Sequence, residues 1–150
     1  MKLPFGDQEL VNIFFHVFFF ARYQYNCTVI TGQCTKYTKS TSKDTTGTGK
    51  IIYLDRFDVQ CDGNDFMLSH QYRKNSGKNW YEFNCCGMEN QNHLECNQVM
   101  TPTSWHPTNR RVEHLEKQNI QCPNNSIISS FKLKRATTEM IRYQLKCCPI

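Results

Sequence analysis

The sequence predicts an all-β fold: two homologous, disulfide-stapled antiparallel β repeats packed into one small domain. Three observations carry this. The cysteines recur in one pattern, because Cys34, Cys61 and the doublet Cys85-Cys86 return as Cys96, Cys122 and Cys147-Cys148, shifted by 62, 61 and 62 residues. The surroundings correspond as well, with FDVQCDGNDFMLSHQY and NWYEFNCC set against QNIQCPNNSIISSFKL and MIRYQLKCC. Threonine, serine and asparagine are abundant while alanine and leucine are scarce, a balance that favours strands joined by polar loops. Internal repetition that holds four cysteines in place reads as a disulfide framework, and hence as a secreted, extracellular chain.

With 39% hydrophobic and 13% aromatic residues, the 150-residue chain can bury a modest core. A repeat of about 60 residues is marginal alone, so covalent staples are expected. The order read from the sequence is a signal-like apolar segment (1–21), a linker (22–33), β repeat 1 (34–86), a second linker (87–95) and β repeat 2 (96–150).

Within the first segment, LVNIFFHVFFFA at residues 10–21 is too short for a comfortable membrane span and is interrupted by Asn12 and His16. It reads as a secretory signal. An uncleaved anchor, a packed apolar segment and a misassigned start are the other readings. No second apolar run follows, so no further span is expected. The linker carries Cys27, the odd member of nine cysteines, which is free, bridged to another chain, or joined to a cysteine placed elsewhere. Asn26 and Asn124 begin the sequons Asn26-Cys27-Thr28 and Asn124-Asn125-Ser126, which are candidate glycosylation sites in a secreted protein.

In repeat 1, Phe57, Val59 and Cys61 alternate with Asp58 and Gln60, a period of two that sets the apolar residues on one strand face. Gly63 and Asn64 mark a turn. Phe66 to Tyr72 resumes an extended pattern, RKNSGKN is a polar loop, and Tyr81, Phe83 and Cys85 alternate with polar neighbours. Three strands per repeat follow. In repeat 2 Ile120 and Cys122 begin the unit, Pro123 to Ser126 turn, Ile127 to Leu133 extend, and Ile141, Tyr143, Leu145 and Cys147 line the last inward face.

Adjacent residues of a strand point to opposite faces, so the two thiols of each doublet need different partners, one facing in and one facing out. Cys85 shares the inward face with Tyr81 and Phe83, as Cys61 does with Phe57 and Val59. Cys61-Cys85 is therefore the preferred inner bridge, leaving Cys34-Cys86; repeat symmetry then gives Cys122-Cys147 and Cys96-Cys148. In the chain-entropy account each such closure contributes roughly 3 to 4 kcal/mol. Residues 35–50, TKYTKSTSKDTTGTGK, lack apolar periodicity and read as a flexible loop. Their counterpart, NQVMTPTSWHPTNRR, holds Trp105 and His106 between prolines and reads as more ordered.

The pattern F-x-V-x-C-x-G followed by W-x-x-F-x-C-C, here Phe57, Val59, Cys61, Gly63, Trp80, Phe83, Cys85 and Cys86, resembles the repeats of the dermatopontin family. The second copy keeps Cys122, Ile128, Phe131, Cys147 and Cys148, and the Asp-Arg-x-Trp motif of that family is absent. LDRF at 54–57 and the doublet ending are also similar to multi-copy cysteine-rich secreted proteins of protists. Either resemblance covers residues 34–148 and implies an extracellular β-rich repeat with matrix, surface or glycan-binding roles.

Catalytic and metal chemistry find little footing. Structural zinc sites draw on C-x-x-C or H-x-x-x-H clusters, whereas here the cysteines are doublets or isolated and His70, His93, His106 and His114 are scattered. A thiol nucleophile needs an activated free cysteine, and the framework consumes the candidates. Asp55 and Asp58, flanking Arg56, read as strand-edge charges. No cofactor and no catalytic residue are expected. Lys132, Lys134, Arg142 and Lys146 alternate with apolar residues and read first as a solvated sheet face; the alternative is one basic stripe across neighbouring strands, which with the net charge of +5 suits acidic polysaccharide. Trp80 and Trp105 are candidates for stacking on sugar rings, packing beside a disulfide being the other reading of Trp80. The expectation is a structural or adhesive component of a matrix, coat or filament, self-assembling or binding other coat proteins. A lectin-like glycan-binding module is the alternative and a zinc- or thiol-dependent intracellular protein the third reading; nucleic acid is not an expected partner.

Overall fold

The computed structural model describes residues 34–46, 49–88, 95–105, 120–123 and 125–150. The apolar segment, the 22–33 linker with Cys27, and the sequon residues Asn26 and Asn124 lie outside the described residues, as do His93, His106 and His114. Eight strands and one 3-10 helix make up the rest: β1 (Cys34–Ser40), the 3-10 helix (Ile51–Arg56), β2 (Val59–Gln60), β3 (Phe66–Asn75), β4 (Lys78–Met88), β5 (Asn97–Met100), β6 (Ser104–Trp105), β7 (Ser126–Arg135) and β8 (Met140–Pro149). They form two antiparallel sheets, ordered β1-β4-β3 and β2-β7-β8-β5, with β6 also paired to β8. Among the described residues no helix is long and apolar enough to cross a membrane.

Each sheet is built on a hairpin whose alternation sets one face toward the other sheet. Tyr81, Phe83 and Cys85 of β4 and Ile141, Tyr143, Leu145 and Cys147 of β8 are buried, while the residues between them are partly or fully exposed. The two hairpins share an irregularity. Met67 faces Cys85 and the register then slips to Ser69 facing Asn84; Ile128 faces Cys147 and slips to Ser130 facing Lys146. A bulge thus sits just before the doublet in both hairpins, skipping Leu68 in one and Ser129 in the other, and such bulges twist and bend a strand locally.

Four disulfides join Cys34–Cys86, Cys61–Cys85, Cys96–Cys148 and Cys122–Cys147, which are the pairs that the facing argument selects. The inner two lie in a large core that takes Met67, Tyr81 and Phe83 from the first sheet and Phe131, Leu133, Tyr143 and Leu145 from the second. Rings run through it edge to face, Tyr72 to Tyr81 at 5.5 Å, Tyr81 to Phe131 at 5.6 Å and Phe131 to Tyr143 at 6.1 Å. That geometry sets the positive edge of one ring against the negative face of the next. His70 is buried in the same place, 4.6 Å from Phe131 and 5.9 Å from Tyr81.

Four expectations are corrected. First, the second thiol of each doublet does not face solvent: Cys86 and Cys148 are fully buried with Phe66, Leu68 and Ile127 in a second, smaller core that also receives Cys34 and Cys96. The reason is that the faces carrying Cys86 and Cys148 are packed together, Phe66 opposite Cys86 and Ile127 opposite Cys148 sharing one cluster. Second, the repeats do not hold three strands each. Strand β2 pairs with β7, Val59 opposite Phe131 and Gln60 opposite Ser130, and Cys61 N–H donates to Ser129 O at 3.1 Å. The first half thereby completes the sheet of the second, while Ile120–Cys122 forms no strand.

Third, the 35–50 segment is not a loop throughout. Residues 34–40 form β1, paired along its length with β4 from Cys34–Met88 to Ser40–Glu82. Its Tyr37 turns inward and donates through its hydroxyl to Asp65 Oδ2 at 2.7 Å. Fourth, RKNSGKN shrinks to a two-residue turn, because β3 and β4 remain paired as far as Asn75 opposite Lys78. Ser76 (φ 49°) and Gly77 (φ 75°) both adopt positive φ, the conformation that matches the right-handed twist of a tight hairpin. The first unit also runs on to Met88, so the 87–95 linker begins two residues inside β4.

Candidate functional site: a polar groove on the second sheet

The four long-range pairings of the second sheet place side chains in rows across its outer face. Gln60 of β2 lies opposite Ser130 of β7, Ser130 opposite Lys146 of β8, and Lys146 opposite Gln98 of β5. One row therefore crosses all four strands. In the next row Lys132 lies opposite Gln144, and Gln144 opposite Met100. In the third, Lys134 lies opposite Arg142. These residues are outward because each alternates with a core residue: Phe131, Leu133, Tyr143 and Leu145 point the other way.

The first row, Lys132 and Gln144 of the second, Lys134 and Asp58 line a groove of about 380 Å³. Its polar groups are a serine hydroxyl, glutamine amides, lysine ammoniums and the Asp58 carboxylate. Gln144 Nε2 donates to Gln98 Oε1 at 2.8 Å, which fixes the orientation of both amides and leaves Gln98 its NH₂ and Gln144 its carbonyl for other partners.

The structure brings the four predicted basic residues onto one face and then divides them. Lys132 is paired with Asp58 at 2.8 Å, and Lys146 donates to Gly63 O at 2.6 Å. The turn at Gly63 (φ 51°) and the segment leading into β2 thus reach over from the first half to occupy both. Lys134 and Arg142 have no acidic partner among the described residues, and Arg142 Nε is buried without a hydrogen bond. Asp58 is therefore a counter-ion in the groove. Asp55, expected at a strand edge, lies in the 3-10 helix and pairs with Arg135 at 2.8 Å.

The tryptophans are not brought to the groove. Trp80 lies on the outer face of the first sheet, where its Nε1–H donates to Glu82 Oε1 at 3.0 Å and Lys43 Nζ sits 4.6 Å from its ring centre. The indole donor, with Arg73 behind it, holds the Glu82 carboxyl below the usual carboxylate range. Trp105 is 56% exposed on β6, opposite Met140, with its Nε1–H donating to Glu139 Oε2 at 3.2 Å. One indole is clamped by neighbours and the other stands open at the margin of the second sheet.

Gln60, Gln98, Gln144 and Ser130 were not singled out from the sequence, and Asp58, expected only as a strand-edge charge, is a groove residue. Gln60 and Asp58 alternate visibly with Val59 and Phe57, but only the exchange of β2 into the second sheet puts them beside the lysines. Among the described residues no group of three or more His, Cys, Asp or Glu side chains is placed to hold a metal ion. Eight of the nine cysteines are spent in the disulfides, a chemistry that suits an oxidising environment. No protein-family model matches the chain, and no curated protein or solved structure is detectably similar to it.

Proposed function

We propose that this protein is a secreted structural or adhesive component of an extracellular matrix, surface coat or filament, acting without catalysis through a rigid surface. The observation that carries this reading is the exchange of β2: the first half supplies a strand to the sheet of the second, and four disulfides staple the resulting body. A body so cross-braced loses little conformational freedom when it is docked, which favours binding by a preformed face. The matched bulges and matched cysteines support descent of both halves from one duplicated unit.

A lectin-like role is the second reading, favoured by the groove. Amides, a hydroxyl and ammoniums in rows across a flat sheet are the groups that hydrogen-bond sugar hydroxyls and acidic substituents.

The test is to secrete the full chain from a eukaryotic host and digest it without reduction. Peptide mass spectrometry then reads the mature N-terminus, both sequons, Cys27 and the four bridges, and sedimentation velocity reads assembly. Bridged cysteines in secreted, surface-retained or self-associating material support the reading. Free thiols at all eight paired positions, or a chain retained in the cytosol, would sink it.

A further inference from the structure

Lys134 and Arg142 face each other directly across β7 and β8 on the outer face of the second sheet. Opposed like charges in a sheet repel, and their Cβ atoms lie roughly 5 Å apart in such a pair. The neighbouring cations show how this face ordinarily deals with charge: Lys132 is met by Asp58 and Lys146 by a backbone carbonyl. At the third row neither device is present among the described residues, and the guanidinium Nε is buried without a hydrogen bond there. Lys134 also lines the groove, whose other polar groups are the Lys132–Asp58 pair, Lys146, the Ser130 hydroxyl and the amides of Gln60, Gln98 and Gln144.

We infer that Lys134 and Arg142 form a site for a single oxyanion, a sulfate ester or a carboxylate, carried by a saccharide whose neutral hydroxyls lie along the Gln60, Gln98 and Gln144 side of the groove. This rests on the glycan-binding reading and narrows it. One planar guanidinium and one ammonium receive one anionic group; the other two cations are already engaged, so the face is not a track for a densely charged polymer. A guanidinium offers paired N–H donors to an oxyanion and a lysine adds a compact charge. The amide side matches hydroxyl-rich rings rather than nucleobases, because the aromatic Phe131 among the lining residues belongs to the inward core.

The test is an NMR titration of the secreted, fully bridged protein with a monosulfated disaccharide, its unsulfated counterpart, a heparin tetrasaccharide and a tetradeoxynucleotide. The expected result is perturbation of β7 and β8 amides around Lys134 and Arg142 by the monosulfated sugar, with about tenfold weaker binding of the unsulfated one. Lys134→Gln and Arg142→Gln each weaken the sulfated ligand about tenfold, whereas Lys78→Gln, an equal charge loss at the far hairpin, leaves affinity within about twofold. Retained affinity in both the Lys134 and the Arg142 variant overturns this site and leaves glycan binding elsewhere standing. Equal losses in Lys78→Gln reduce the effect to net charge and overturn it too. Tighter binding of the tetradeoxynucleotide overturns the saccharide as occupant, and no binding of any saccharide overturns both the site and the glycan reading.

Discussion

Thr101 and Tyr143 are joined twice: Thr101 N–H donates to Tyr143 O at 2.9 Å, and Tyr143 N–H donates to Thr101 Oγ1 at 2.8 Å. The hydroxyl stands in for a backbone carbonyl at the point where β5 stops, and Thr41 does the same for Tyr81 at the end of β1, at 2.9 and 3.0 Å. Both clasps hold a core tyrosine of the long hairpin strand.

Replacing Thr101 by valine keeps the shape and removes the acceptor, leaving a buried N–H unpaired. Urea denaturation is expected to show a loss of about 1 to 3 kcal/mol, with Thr101→Ser recovering most of it. Thr41→Val costs less, because Thr41 is only partly buried and water can reach its partner.

Gly77 is required by the turn between β3 and β4, where its φ is 75°. Gly77→Ala is expected to destabilise the chain by about 1 kcal/mol in thermal or chemical melts. Ser76→Asn, at φ 49°, should instead be neutral or raise stability by a few tenths of a kcal/mol, asparagine being the better residue at that turn position.

Burial pushes the His70 imidazole down to about 3 from an ordinary 6.5. The unfolded chain takes up a proton below pH 6.5 that the folded chain refuses, so this stability is present above that pH and is lost as pH falls toward 3. Relative to His70→Leu, wild type should lose roughly 3 kcal/mol between pH 7 and pH 4, at up to about 1.4 kcal/mol per pH unit. Urea midpoints for both proteins across that range provide the measurement; parallel curves would place the pH dependence elsewhere.

Without ligand, the Lys134–Arg142 opposition is a small cost to the sheet. Lys134→Glu turns it into an attraction and should raise stability by about 0.2 to 1 kcal/mol in low-salt thermal melts, with the gain shrinking as salt is added.

How far the sequence reaches is clearest at the cysteines and at the edges. Strand alternation alone sorts Cys85 from Cys86 and Cys147 from Cys148, because a period of two is a local property. The same rule brings Lys132, Lys134, Arg142 and Lys146 to one face. It does not say what meets them: Asp58 and the Gly63 carbonyl arrive from a strand that changes sheets, a choice settled by tertiary packing. Strand β1 escapes notice for the opposite reason. Its threonines, lysines and serines carry no apolar period, and it is held in register by pairing with β4 and by the inward Tyr37. The bulges at Leu68 and Ser129 leave no local mark either, nor does the packing of Phe66 and Ile127 that buries Cys86 and Cys148.

The pairing of Cys34 with Cys86 and of Cys96 with Cys148 also fixes where tension would travel through a tethered chain. A pull on the two ends enters at Cys34, crosses by a sulfur–sulfur bond to Cys86, runs along the short connector to Cys96 and crosses again to Cys148. The interior of each half lies inside a closed loop, so tension reaches the sheets only where the halves meet, at the pairing of β2 with β7. Neither closed loop can be drawn out until its disulfide is cut or reduced, so reduction, rather than force, is what opens each half.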